Sequence, residues 1–286
     1  MKTGHGVLGR ALWVSSVFSS ILFGQGVTVS GFVDGSIAIP VTSPVHARFS
    51  VDVVEIDFEK QIDAGISLRA DIDILNDSAE LEQAYVSFRG ISFGKFNAPI
   101  GFEMVDAPDM YQFSHSLVFD FALPLNLTGI SYTRDFSHDI GFIGYLVNSD
   151  DIDPTLGDNP ILGGRLSYAG IVGVQAGLSA IHKGGGEYIV DFDATITRME
   201  KVTVGLEVNR GGYGPGEMGY LLMVNWTPGR FGVTFRQDQL GEAGTTTISP
   251  SYSLADGALI LFEYRTGKDI DIKSFSQAAV ELTFSF

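Results

Sequence analysis

The chain has 286 residues, no cysteine, 35 glycines and a net charge of −16. Without cysteine it has neither a disulfide framework nor thiol chemistry, and so acidic a chain lacks the basic face that nucleic-acid phosphate requires. Hydrophobic residues make up 45% of it, yet past residue 26 no apolar run approaches the ~20 residues of a membrane-crossing helix, which excludes a helical membrane protein.

At the start, Lys2 and Arg10 precede an apolar stretch over 11–23, and Gly24 and Gly26 follow. This is the pattern of a secretory signal peptide, with cleavage expected near Gly26 and one domain over 27–286. Its removal takes away two of 18 basic residues and leaves 34 acidic ones, a net charge of −18. Residues 27–39 then alternate with apolar residues or glycine at odd positions, as in a strand with one greasy face. In 47–60 the apolar parity slips between Val53 and Val54, which predicts a β-bulge. The clearest alternation is 62–74, where every even residue is Ile, Leu or Ala and the odd ones include Asp63, Arg69, Asp71 and Asp73. One face suits lipid and the other water. Strands over 84–89 and 91–97 follow, reversing at Gly90.

Alternation then fails over 98–124. This stretch has no Lys or Arg, and interleaves Glu103, Asp106, Asp109 and Asp120 with Phe102, Tyr111, Phe113, Phe119 and Phe121. A long segment without regular structure is functional or disordered, and so many aromatic residues argue against disorder. Eleven further strand patterns run from 126 to 286, for about sixteen in all, an even number as in single-chain outer-membrane barrels. Their connections sort into a short set, at Lys60, Gly90, 136–139, Gly170, Glu200, 228–229 and 255–256, and a generally longer set at 40–45, 98–124, 149–160, 183–186, 211–216, 240–244 and 267–273. Short periplasmic turns and longer outer loops show this asymmetry, and a soluble sandwich has no reason for it. Phe58, Phe88, Tyr168, Tyr188, Trp226, Phe231 and Tyr264 lie on the apolar parity near strand ends, where interfacial girdles sit. In the final AVELTFSF, Val280, Leu282, Phe284 and Phe286 share one face and the last residue is aromatic, as in the terminal-strand signal read by the outer-membrane barrel assembly machinery.

The residues 27–34 (VTVSGFVD), 94–103 (GKFNAPIGFE) and the run from Asp106 through Ser116 to Pro124 and Gly129 resemble the OmpL-like outer-membrane porins (beta-barrel porin type two). The likeness covers roughly the first half of the mature chain. It implies passive transport across a Gram-negative outer membrane, and brings no substrate, cofactor or active site with it.

The expected fold is therefore an all-β transmembrane antiparallel up-and-down barrel of about 16 strands, with 98–124 folded inward. By parity, Arg48, Arg69 and Arg89 point to the lumen opposite Glu103, Asp106, Asp109 and Asp120, and opposed rows of charge would set a transverse field across a constriction. The alternative is that these arginines solvate a wet lumen at different heights and form no ring. Asp63, Asp71, Asp73, Asp191, Asp193 and Glu207 on polar faces predict a cation-preferring pore.

Other classes have weaker signals. Ser114, His115 and Ser116 are adjacent, but neighbours in a strand do not face each other and no third partner is placed; no GxSxG, HExxH or phosphate loop occurs in a suitable context. The aromatic residues of 98–124 could instead line a pocket for apolar ligands in a plugged barrel. Asp150, Asp151, Asp153 and Asp158 offer the ligand type of Ca²⁺ but miss the EF-hand spacing, so a solvated loop is expected there. No metal or cofactor is expected. The expected partners are outer-membrane lipid, the assembly machinery and small hydrophilic solutes, with a homotrimer as in many such barrels.

Overall fold

The alternating segments become strands almost throughout the computed structural model, which describes residues 21–23, 26–41, 46–63, 65–75, 78–148, 160–184, 187–211 and 218–286. In chain order they are β1 (Ile21–Phe23), β2 (Val27–Pro40), β3 (Arg48–Asp63), β4 (Ile66–Leu75), β5 (Ser78–Phe88), β6 (Ile91–Asn97), β7 (Asn126–Asp135), β8 (Ile140–Val147) and β9 (Ile161–Ile171). There follow β10 (Val174–Gly184), β11 (Glu187–Met199), β12 (Val202–Gly211), β13 (Met218–Trp226), β14 (Phe231–Leu240), β15 (Ala243–Ala255), β16 (Ala258–Lys268) and β17 (Ser274–Ser285). Each strand from β2 onward pairs antiparallel with its successor, and β17 pairs with β2 from Gln277↔Pro40 to Ser285↔Phe32. The result is a closed antiparallel barrel of sixteen strands, β2–β17. Closure removes every free sheet edge, which is what a hydrocarbon environment demands of a backbone full of polar groups. The last residue completes the seam: Phe286 N–H donates to Gly31 O at 2.9 Å and Gly31 N–H to Phe286 O at 3.2 Å. Most of the expected leader lies outside the described residues; its Ile21–Phe23 pairs with Val27–Val29 of β2.

The barrel is inside out relative to a soluble protein. Along β14, Phe231 and Phe235 are exposed while Thr234, Arg236 and Asp238 are buried. Val33, Leu68, Phe192, Leu222, Phe262 and Phe284 likewise face outward. Each such side chain left in water forgoes about 1.5–3 kcal/mol of burial, so a full girdle of them is tenable only against lipid.

Several register shifts occur among the described strands, and two that lie away from the hairpin turns shape the wall near the 98–125 segment. The expected slip in β3 falls one residue earlier, with Asp34↔Val53 followed by Gly35↔Val51 so that Asp52 is the extra residue. An unanticipated one lies in β5, where Asp71↔Gln83 is followed by Ile72↔Leu81 and Glu82 is extra. The reversal expected at Lys60 falls instead between the end of β3 at Asp63 and the start of β4 at Ile66. That hairpin preserves the apolar parity, so alternation alone does not reveal it; Gly65, at φ +89°, marks it. The connection expected at 240–244 tightens to Gly241 and Glu242. The acidic run Asp150–Asp158 lies outside the described residues.

Candidate functional site

Between β6 and β7, residues 98–125 leave the wall. Pro99, Pro108 and Pro124 cannot donate to a ladder, and Gly101 turns the chain at φ +86°. A neck bond, Ala98 N–H to Leu125 O at 2.8 Å, closes the segment on itself. An irregular backbone must find acceptors for its buried N–H groups elsewhere. Here they are carboxylates on the polar faces of distant strands: Phe102 N–H donates to Glu207 of β12 at 3.0 Å, Ser114 N–H to Glu263 of β16 at 3.0 Å, and Leu117 N–H to Asp238 of β14 at 3.5 Å. A carboxyl acceptor for each of these N–H groups offsets the cost of leaving it buried and unpaired.

Arg236 is the centre of this attachment. Its side chain is 0% exposed, with Nη1 2.8 Å from Glu103 Oε1 and Nε 2.8 Å from Asp238 Oδ1. The same guanidinium donates to Ser114 O, to His115 O at 2.9 Å and to Ser114 Oγ at 3.2 Å. Glu103 in turn accepts Ser116 N–H at 2.8 Å and Gln112 Nε2 at 3.1 Å. A short helix, α1 (Leu117–Ala122), is capped by Ser116 Oγ, which accepts Phe119 N–H at 3.2 Å. Its Leu117, Val118 and Ala122 pack on Leu240 and Ala243 at the ends of β14 and β15. The Ser–His–Ser run is thus engaged in holding the segment: Ser114 binds Arg236, Ser116 caps α1, and His115 stacks on Phe119 with ring centroids 3.9 Å apart.

Glycine makes room for the segment. A Cβ at Gly205 of β12 would fall inside the Phe102 ring, and one at Gly219 of β13 would sit 2.8 Å from Val118 Cγ2. Gly205→Val should therefore displace the Phe102 end of the segment while leaving the barrel folded. Limited proteolysis should then cut within 98–125 faster than in the parent protein; equal rates would mean that Phe102 does not anchor it.

The charged residues expected to form one constriction fall into separate groups. Arg69 lies on the β3–β5 wall, 2.6 Å from Asp71, 3.0 Å from Glu59 and 3.7 Å from Asp57. Asp106 and Asp109 belong to this side: with Pro108 they border a cavity of about 50 Å³ whose other walls include Glu55 and Asp57. Glu103 is committed to Arg236, and Asp120 lies within electrostatic reach of His115, Arg265 and Arg236. Arg48 starts β3 at one end of the barrel, whereas Arg89 is in the β5–β6 turn at the other, 4.9 Å from the Phe88 ring. These two are not brought together with the rest. Sequence reasoning missed Arg165, which pairs with Asp193, and also Arg236 and Arg265. Their signal was available: Thr234, Arg236 and Asp238 occupy the polar parity of an otherwise clear strand. What the sequence did not show is that closure brings β12–β16 against a segment more than a hundred residues away.

Burial pushes the Asp106 carboxyl up to about 7, assisted by the charges of Asp109 and Asp57 and opposed by Arg69. Burial also raises Asp109 and Asp120, the latter held back by His115 and Arg265.

The sequence profile of the family described as "Putative beta-barrel porin-2, OmpL-like" matches residues 46–211, more than half of the chain. The chain belongs to this family. The porin barrel is also similar to that of the outer membrane channel DcaP of Acinetobacter baumannii, with a TM-score of 0.71 at 11% identity over 94% of this chain and 100% of that one. Two mutants of the porin of Rhodopseudomonas blastica each give a TM-score of 0.65 over 91% of this chain and 100% of theirs, at 15% and 14% identity. No curated protein matches the chain. Family and fold place this porin in the outer membrane and point to a channel rather than an enzyme.

Proposed function

We propose that this porin passes ions and small hydrophilic solutes by diffusion, that it prefers cations, and that residues 98–125 fold inward to narrow the path. The observation that carries the reading is the anchoring of the segment, by Glu207, Asp238 and Glu263, to the polar faces of three strands across the barrel from β6. Cation preference is supported by the inner-face carboxylates Asp34, Glu55, Asp57, Asp71, Asp191 and Glu281, set against the few guanidinium groups of Arg69, Arg165, Arg236 and Arg265. A cleaved leader over 1–26, assembly through the C-terminal strand and a homotrimeric state belong to the same reading. The test is current through the refolded protein in a planar bilayer under a salt gradient. Steady conductance with a cation-selective reversal potential is expected. A silent bilayer, with folding shown separately, would discard the open channel in favour of a plugged carrier of apolar ligands.

Within that reading, selectivity should follow the ionisation of Asp106. This carboxyl, raised to about 7, is neutral well below that pH and charged above it, so cation preference should increase between pH 5 and pH 9. The accompanying effect on stability has the opposite direction. The folded chain holds this proton more tightly than the unfolded one, so the contribution is present at low pH and lost as pH rises through about 7. Asp106→Asn combined with Asp109→Asn should flatten the pH response and lower the cation preference. Unchanged reversal potentials would place these residues off the conduction path. Glu103 is left intact in this test because it is the partner of buried Arg236.

A further inference from the structure

We propose that Glu55, Asp73 and Glu82, on adjacent strands β3, β4 and β5, bind one hard divalent cation, Ca²⁺ in preference to Mg²⁺. Glu55 and Asp73 are direct cross-strand partners, an arrangement that by itself is destabilising for like charges. The bulge in β5 adds the third ligand. Regular pairing across β4 and β5 would alternate faces, but with Glu82 as the extra residue both Glu82 and Gln83 are buried. Bulges re-aim side chains in this way.

One carboxylate oxygen from each of the three residues lies within 4.8 Å of the other two. Ca²⁺ takes oxygen ligands at about 2.3–2.6 Å, so ligands on opposite sides of it are up to about 5 Å apart. Mg²⁺, at about 2.0–2.1 Å, needs a tighter and more regular set.

A second observation points to a ligand independently of this convergence. Glu82 is 6% exposed, yet neither of its carboxylate oxygens receives a hydrogen bond of good geometry, although the Asn97 side chain is near enough to act on it, and Asp73 Oδ1 receives none either. Buried carboxylates without compensation are strongly disfavoured. Among the described residues none of the three forms an ion pair. The neighbouring cations are otherwise engaged, Arg69 by Asp57, Glu59 and Asp71, and Lys95 Nζ by Leu81 O at 2.9 Å. Asp106 is close enough to Glu55 and Glu82 for its charge to act on both, so a bound cation would also link the wall to the inserted segment. Other buried acids are arranged differently: Glu207 already accepts a segment N–H, and Asp193 is paired with Arg165.

The test is calorimetric titration of the refolded full chain with Ca²⁺, and separately with Mg²⁺, at neutral pH in buffered KCl. The expected result is one saturable Ca²⁺ site, weaker for Mg²⁺, with affinity lowered at least about tenfold by Glu82→Gln. Glu200→Gln, an exposed acid in the β11–β12 turn, should leave it unchanged. Asp73→Asn serves as the second variant if Glu82→Gln does not refold. Absence of a saturable site in the parent protein overturns the proposal, as does equal binding by the parent and both ligand variants, which would mean diffuse screening of an acidic chain. Tighter binding of Mg²⁺ than of Ca²⁺ would refute the preference on which the spacing argument rests.

Discussion

Arg236→Ala is expected to lower the unfolding free energy of the barrel by about 3–5 kcal/mol, the penalty for breaking a buried ion pair by removing one partner, and to raise its conductance. The magnitude follows from what remains. Glu103 and Asp238, 3% and 0% exposed at their side chains, would face each other without a cation, and Ser114 O and His115 O would lose their donor. The channel effect follows from position, because Glu103, Ser114 and His115 belong to the segment and Arg236 to the wall. Trp226 is the one tryptophan past residue 26, and its fluorescence in a urea titration in lipid vesicles reports the first quantity. Single-channel recording reports the second. Arg236→Met with Glu103→Gln and Asp238→Asn should lose less than the single change, since neutral groups leave no buried charge behind. A loss under about 1 kcal/mol for Arg236→Ala, outside the range for breaking such a pair, together with unchanged conductance, would show that the segment is held by its apolar contacts alone.

How much of this was legible in the sequence depends on the range over which each feature is encoded. Strand identity is local: period two at 62–74 or 231–239 states which residues meet lipid, and the barrel follows from many such strands with short turns on one side. The turn between β3 and β4 escaped because the hairpin kept parity in step, and the bulge at Glu82 because one displaced acid looks like any polar residue near a strand end. The bulge in β3 was visible because valines on both sides of it betray the slip.

The candidate site was legible in part for a different reason. That 98–124 is special could be read from its failed alternation, and its acids could be named. Their partners could not, since Arg236 is 133 residues from Glu103 and only barrel closure makes them neighbours. Arg69, Arg48 and Arg89 drew attention through proximity in sequence. The structure scatters these three along the barrel axis and places Arg165, Arg236 and Arg265 on β9, β14 and β16. Glycine offered an unused clue: Gly205 and Gly219 interrupt inner faces at the positions where Phe102 and Val118 rest.

Leu222→Arg is expected to destabilise the folded barrel by about 2–4 kcal/mol, whereas Ile66→Arg is expected to lose only about 0–1 kcal/mol. Both residues lie on the outward parity, so sequence alternation alone assigns them the same penalty. Depth separates them. Leu222 is the middle residue of β13 (Met218–Trp226) and is flanked across the ladder by Leu206 and Gln237. Ile66 is the first residue of β4, opposite Asp63 beside the turn. A guanidinium at the middle of a strand must reach through about half the hydrocarbon thickness or draw water in, while at a strand end it extends into the headgroups. Paired urea titrations in vesicles of one lipid composition measure the difference. A larger loss at Ile66 than at Leu222 would shift the hydrocarbon band toward the turns, and no loss at either would place these faces away from lipid. The same comparison bears on assembly: Val280, Leu282 and Phe284 share the outward face of β17, so arginine at Leu282 should also follow the depth rule unless another protomer covers that strand.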